Sequence, residues 1–220
     1  MEVAASLRDV SVRFGRRWVL VRLNLDFPKG ATTLVSGENG AGKTTLLRVL
    51  ATALKPTRGR LELLGMPAYP DPDRLRPRIG FVTHHSHLYE DMSALENVRL
   101  VARLASAEQG HDVLMSHLER VGLAEHAQRN VRQFSAGMKR RLCVARLLTR
   151  APELAFLDEP FGRLDPAGIT LIENVMLELK AAGSTIVLST HDLERGRRLG
   201  DFHLELSAGR QVGALTPIAA

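Results

Sequence analysis

A chain of 220 residues can bury one substantial core, and 45% hydrophobic with 25% charged residues excludes a disordered polypeptide. The formal charge of +6 is carried by arginines spread in short clusters such as Arg16–Arg17, Arg140–Arg141 and Arg197–Arg198, with no aromatic interleaving or zinc-finger spacing, so no nucleic-acid partner is expected. One cysteine, Cys143, excludes an internal disulfide framework, while the absence of a signal-peptide layout and of any ~20-residue apolar run leads us to expect a cytoplasmic protein.

In chain order, "VSVRF" (10–14), "LVRLNLDF" (20–27) and "GRLELLG" (59–65) alternate apolar and polar residues, as antiparallel strands do. Between them "TTLVS" (32–36) is a short buried strand that runs into a glycine-rich turn. "KTTLLRVLATAL" (43–54) then places Leu46, Leu47, Leu50 and Leu54 on one helical face, stopped before Pro56. "RIGFVT" (78–83), "ELAFLD" (153–158) and "STIVLS" (184–189) are further apolar strands of the kind a parallel sheet buries on both faces. From 92 to 150 the pattern is helical: in "HDVLMSHLERVG", Leu114, Leu118 and Val121 share a face that Gly122 ends. The closing "FHLELSAGRQVG" predicts a hairpin. These elements predict one α/β domain over 1–220, with a β subdomain and core in 1–83 and 151–220 and a helical insertion in 84–150.

The first chemical motif is "SGENGAGKTT" (36–45), which fits G-x-x-x-x-G-K-[ST] and lies between a strand and a helix. Backbone N–H groups must turn inward around phosphate oxygens, so Gly37, Gly40 and Gly42 remove side chains that would block them. The helix that follows offers its N-terminal amides to the same anion. Candidate nucleotide contacts are therefore Gly37, Asn39, Gly40, Ala41, Gly42, Lys43, Thr44 and Thr45. Lys43 reaches toward the β- and γ-phosphates, and Thr44 offers a hydroxyl to Mg²⁺. In "LAFLDEP" (154–160) a strand ends on Asp158, placed to hold the Mg²⁺ water shell, followed by Glu159, placed to act on an attacking water.

No guanine-reading N-K-x-D motif accompanies these, and the remaining motifs resemble the ATPase subunits of ABC transporters along essentially the whole chain. "QFSAGMKRR" (133–141) resembles that family's signature: Ser135 and Gly137 match, while Phe134, Ala136 and Met138 replace its commoner Leu, Gly and Gln. "GRLDP" (162–166) resembles the D-loop through Leu164 and Asp165, and "LSTHD" (188–192) supplies the switch histidine, His191. Phe14 in "VRFG" stands where the family stacks adenine, with Trp18 a less well aligned alternative.

The resemblance implies a RecA-like core, a small antiparallel β subdomain and a helical subdomain ending in the signature. It also implies dimers, of identical or different chains, closing head to tail around two Mg-ATP, with Ser135 and Gly137 meeting the nucleotide of the other subunit. Glu159, His191 and Lys43 would carry catalysis, and Asp165 would organise the opposing site. Transmembrane permease subunits would be the partners, the ATPase lying on the cytoplasmic face of the membrane. A soluble ATPase of the same family acting on nucleic acid, ribosomes or iron–sulfur assembly is the alternative reading.

"FVTHHSHLYED" (81–91) carries His84, His85 and His87, but no carboxylate or cysteine at ligand spacing completes a transition-metal site. His84 stands at the family's Q-loop position, where a Gln normally approaches Mg²⁺. Imidazole suits hard Mg²⁺ poorly, so His84 is expected to couple by hydrogen bonding. Histidine there, "FSAGM" and the chain's length resemble the ATPase of the haem exporter used in cytochrome c maturation. Short exporter ATPases for lipids, polysaccharides or drugs share the same motifs.

Overall fold

The computed structural model describes residues 2–83, 87–106, 109–162 and 164–218. Strands β1 (Val3–Phe14) and β2 (Arg17–Pro28) pair antiparallel, and β4 (Arg58–Leu63) and the two-residue β5 (Met66–Pro67) extend them into a four-stranded sheet ordered β2-β1-β4-β5. The larger sheet uses β3 (Thr32–Ser36), β6 (Ile79–Val82), β7 (Leu154–Asp158), β8 (Thr185–Ser189), β9 (Phe202–Ser207) and β10 (Arg210–Pro217), ordered β10-β9-β3-β8-β7-β6. Its neighbours are parallel from β9 to β6, and only the closing β9–β10 hairpin is antiparallel.

Successive side chains on a strand point to opposite faces, and both faces of this sheet are covered. On β7 and β8, Ala155, Leu157, Ile186 and Leu188 turn toward one cluster, which takes in the helices α2 (Ala94–Leu104), α3 (His111–Arg120), α4 (Ala136–Arg150) and α5 (Pro166–Ala181). Leu154, Phe156 and Val187 turn the other way, toward α1 (Lys43–Leu50) and the inner face of the antiparallel sheet, where Leu7, Leu20 and Phe27 lie. A short α6 (Leu193–Leu199) precedes β9. The run-on hydrophobicity of β7 and β8 follows from this double cover.

The expected strands and hairpin are present, and Leu114 and Leu118 of α3 are buried together with Val121, which caps its C-terminus. Cys143 is buried on α4, and burial pushes its thiol pKa up. The first helix is shorter than expected. It ends at Leu50, Thr52 turns left-handed (φ +56°), and the N–H groups of Ala53 and Leu54 both return to the Arg48 carbonyl. Pro56 disfavours helix at Lys55, and the chain closes the helix one turn early with these two bonds. Leu54 still packs against the core, at its margin.

Helix α2 begins at a reciprocal cap: Ser93 Oγ accepts from Glu96 N at 3.2 Å, and Glu96 Oε2 accepts from Ser93 N at 2.7 Å. Ser93→Ala is expected to cost about 1 kcal/mol, read as a lower urea midpoint at unchanged slope. An unchanged midpoint would show that the cap is not stabilising. Among the described residues, no helix is long and apolar enough to cross a membrane.

Candidate nucleotide site

Strands β3, β8 and β7 lie side by side and run the same way, so the loops leaving their C-terminal ends meet at one edge of the sheet. Ligands bind at that edge in open parallel sheets. The loop after β3 is 37–42, the residue after β7 is Glu159, and Thr190 and His191 follow β8. Residues 122 and 154 positions apart from Gly37 are thus brought to a single place by strand order alone.

The first loop is tightly determined. Gly37 has φ +140°, and a Cβ there would collide with the Leu206 carbonyl of β9. Gly42 has φ +106°, N-caps α1, and a Cβ would lie 2.7 Å from Leu20 Cδ2. Both positions combine a backbone that L side chains rarely adopt with a lack of room for one. Lys43 is only 8% exposed; its ammonium donates to the carbonyls of Gly37 at 2.6 Å and Glu38 at 3.1 Å. The lysine is thereby held across the mouth of its own loop. Glu38, Asn39 and Gly40 are exposed, Ala41 is buried beneath them, Thr44 is exposed in the first turn of α1, and Thr45 is half-buried.

Across the site Asp158 is buried at the end of β7, beside Ser189 in register, and accepts the Ser189 hydroxyl at 2.7 Å. Glu159 adopts φ +50°, in the left-handed region that non-glycine residues seldom occupy, and its N–H donates to the Ser189 carbonyl at 3.0 Å. Its Oε2 accepts from the His191 N–H at 3.3 Å. Its Oε1 is buried without a hydrogen-bond partner and lies 3.3 Å from His191 Nε2, within ion-pair reach but not in hydrogen-bond geometry. The carboxylate and imidazole are therefore neighbours, with His191 itself exposed. Asp158 and the Thr44 hydroxyl are hard oxygen donors of the kind Mg²⁺ takes, and the buried, already hydrogen-bonded Asp158 carboxylate suits that ion.

Ser135 and Gly137 lie apart from these groups in sequence and open α4, where Ser135 Oγ caps the helix by accepting from Met138 N at 3.2 Å. Asp165 caps α5: its Oδ1 accepts from Gly168 N at 2.9 Å and pairs with Arg141 of α4 at 3.1 Å. The Gly168 N–H, and then Arg141, hold its carboxyl below the usual range. Its side chain is thus engaged within its own chain. Phe14 ends β1 and is half exposed, with no ring or guanidinium stacked on it among the described residues, whereas Arg13 and Arg58 lie 5.4 and 5.6 Å from the Trp18 ring centre. Phe14 is the freer of the two rings.

His84 and His85 lie outside the described residues. His87 is exposed at φ +44°, its carbonyl accepting from Arg146 at 2.8 Å. Among the described residues no group of three His, Cys, Asp or Glu side chains could hold a metal ion. Sequence reasoning missed two residues at this edge. Ser189, which orients Asp158, was hidden because the β7–β8 register is not visible in the chain. Arg140 was grouped with a surface charge run, yet it is buried and donates to the carbonyls of Thr83 and Glu159.

A family profile described as "ABC transporter" matches residues 20–162. The daunorubicin resistance ATP-binding protein DrrA3 of Streptomyces coeruleorubidus is 37% identical over 96% of this chain and 67% of its own length. The cytochrome c biogenesis ATP-binding export protein CcmA of Paramagnetospirillum magneticum is 38% identical over 84% of this chain and 87% of its own. Among solved structures, the dimeric post-hydrolysis state of the ATP-binding cassette MJ0796, bound to ADP and phosphate, superposes with a TM-score of 0.88 at 25% identity, covering 98% of this chain and 99% of that one.

Proposed function

The chain belongs to the ABC transporter family as an ATP-hydrolysing domain, and from that premise we propose that it works as a head-to-tail pair of identical subunits driving export through separate membrane-embedded permeases. The observation that carries this reading is the meeting of the Gly37–Lys43 loop, Asp158, Glu159 and His191 at one edge of the sheet.

In this account the loop amides and Lys43 cradle the β- and γ-phosphates, and the N-terminus of α1 adds its positive end. Thr44 and Asp158 would hold Mg²⁺, which when bound neutralises phosphate charge. Glu159 takes the proton of the attacking water, and His191 fixes the carboxylate and reaches toward the γ-phosphate. Phe14 stacks on adenine. Phe14→Ala is expected to weaken ATP binding by about 1–3 kcal/mol, with kcat little changed and Trp18→Ala nearly silent. The opposite ranking of the two variants in nucleotide titrations would reassign the stacking ring.

The second half of each site is supplied by the signature of the other copy. Among the described residues a Cβ on Gly137 would meet only Ser135 Oγ, at 3.9 Å, so none of them demands a glycine there. Close approach of a phosphate from outside supplies the demand, at the N-terminus of the 15-residue α4. Asp165, which braces α4 through Arg141, would help to organise the opposing site. ATP binds the closed pair better than the open one, and hydrolysis removes that preference.

For the cargo, haem export in cytochrome c maturation is supported by the 38% identity to CcmA, and drug export by the 37% identity to DrrA3. Purification with the permease in detergent, followed by ATP turnover with haem or with a polycyclic drug, separates them: the cargo that stimulates turnover identifies the branch. Purification without any membrane partner would sink the transport reading.

A further inference from the structure

The run Lys139-Arg140-Arg141 has the look of a solvated charge cluster, but α4 parts its members. Lys139 pairs with Glu90 at 2.5 Å and Arg141 with Asp165, both at the surface. Arg140 turns inward, to 7% exposure, and its guanidinium hydrogen-bonds two main-chain carbonyls: Thr83 at 2.5 Å, at the end of β6, and Glu159, after β7. A buried cation is costly unless its donors are satisfied, so a planar fork spent on backbone needs a reason. Burial lowers its pKa, and the neighbouring Asp158 and Glu159 charges partly offset that.

The reason lies in the residue it grips. Glu159 is strained at φ +50°, and Pro160 pushes the residue before it toward extended conformations. Several contacts hold Glu159 where it is: its N–H on the Ser189 carbonyl, its carboxylate at the His191 N–H, and its carbonyl on Arg140 and, at a long 3.4 Å, on the Gly162 N–H. Remove the guanidinium and the carbonyl keeps only the long bond from the Gly162 N–H, so the residue is freer to relax and swing its carboxylate away from His191.

We propose that Arg140 is a positioning residue for hydrolysis, holding Glu159 in its working backbone conformation and tying it to the end of β6 and to the signature helix. Because one rigid fork grips both carbonyls, a shift of α4, which Ser135 caps, moves the Glu159 peptide with it. This rests on the role of Glu159 proposed above.

The test compares Arg140→Gln and Arg140→Lys with the native chain for ATP turnover, ATP affinity and melting temperature. Both variants are expected to bind ATP within about threefold of native. Arg140→Gln should lose on the order of 10- to 100-fold in kcat. Arg140→Lys should lose less, since its ammonium keeps the charge and a donor but lacks the planar fork that spans both carbonyls. In a Glu159→Gln background, Arg140→Gln should cause no further loss, because it acts through that residue. Native-like kcat in Arg140→Gln overturns the proposal, as does a fall in ATP affinity that matches the fall in kcat, or a full additional loss in the Glu159→Gln background. Should Arg140→Gln fail to fold, Arg140→Lys decides alone: native kcat overturns, lowered kcat at native affinity supports. Near-normal turnover in Glu159→Gln would instead unseat Glu159 itself, a different failure from an inactive Glu159→Gln beside an active Arg140→Gln.

Discussion

Glu159→Gln is expected to lower ATP turnover by roughly 10²–10⁴-fold, the usual contribution of a positioned general base, while ATP still binds. The amide keeps the shape of the carboxylate and can still accept from the His191 N–H, which now lies 3.3 Å from Oε2. What it loses is the basicity needed to take a proton from water. Hydrolysis then no longer removes the preference for the closed pair, so the variant should accumulate as an ATP-bound dimer on size exclusion. Turnover near the native rate would move the base to another group.

Lys43→Ala acts one step earlier. The ammonium is nearly buried and already held by the Gly37 and Glu38 carbonyls, so it faces the phosphates with little entropy left to lose. Removing one partner of a buried charge pair costs on the order of 2–5 kcal/mol, and here that loss falls on ATP affinity. Isothermal titration should show binding weakened tens-fold or more, with the melting temperature of the free protein little changed. Affinity within twofold of native would mean that Lys43 does not contact the triphosphate.

The strands that form the edge of the site were legible because each is a short apolar run buried on both faces. The outer strands were legible only in part. The alternation of β1 is visible over 10–14, whereas the strand begins at Val3, because Asp9 turns left-handed and the pairing register shifts between Leu7 and Val10. A bulge changes which side each residue faces and hides the strand from a period-two reading. Arg22 also turns left-handed within β2, beside the register shift between the Val10–Leu23 and Val12–Leu20 pairs.

At the site, contiguous motifs were legible: the 37–45 loop, Asp158 with Glu159, and His191 all lie in short strings with a physical reason for their spacing. The groups that orient them were not. Ser189 acts through the register of two strands distant in sequence, and Arg140 through the side of α4 that turns inward, where its two charged neighbours turn out.

The central claim is that each ATP site is shared between two copies, with the Lys43 loop of one and Ser135 of the other. Mixing two inactive variants, Lys43→Ala and Ser135→Arg, tests it directly. Half of the reassorted dimers would be mixed, and each would keep one of its two sites whole, so about a quarter of native ATP turnover should return. If each site were complete within a single chain, the mixture would stay as inactive as its parts.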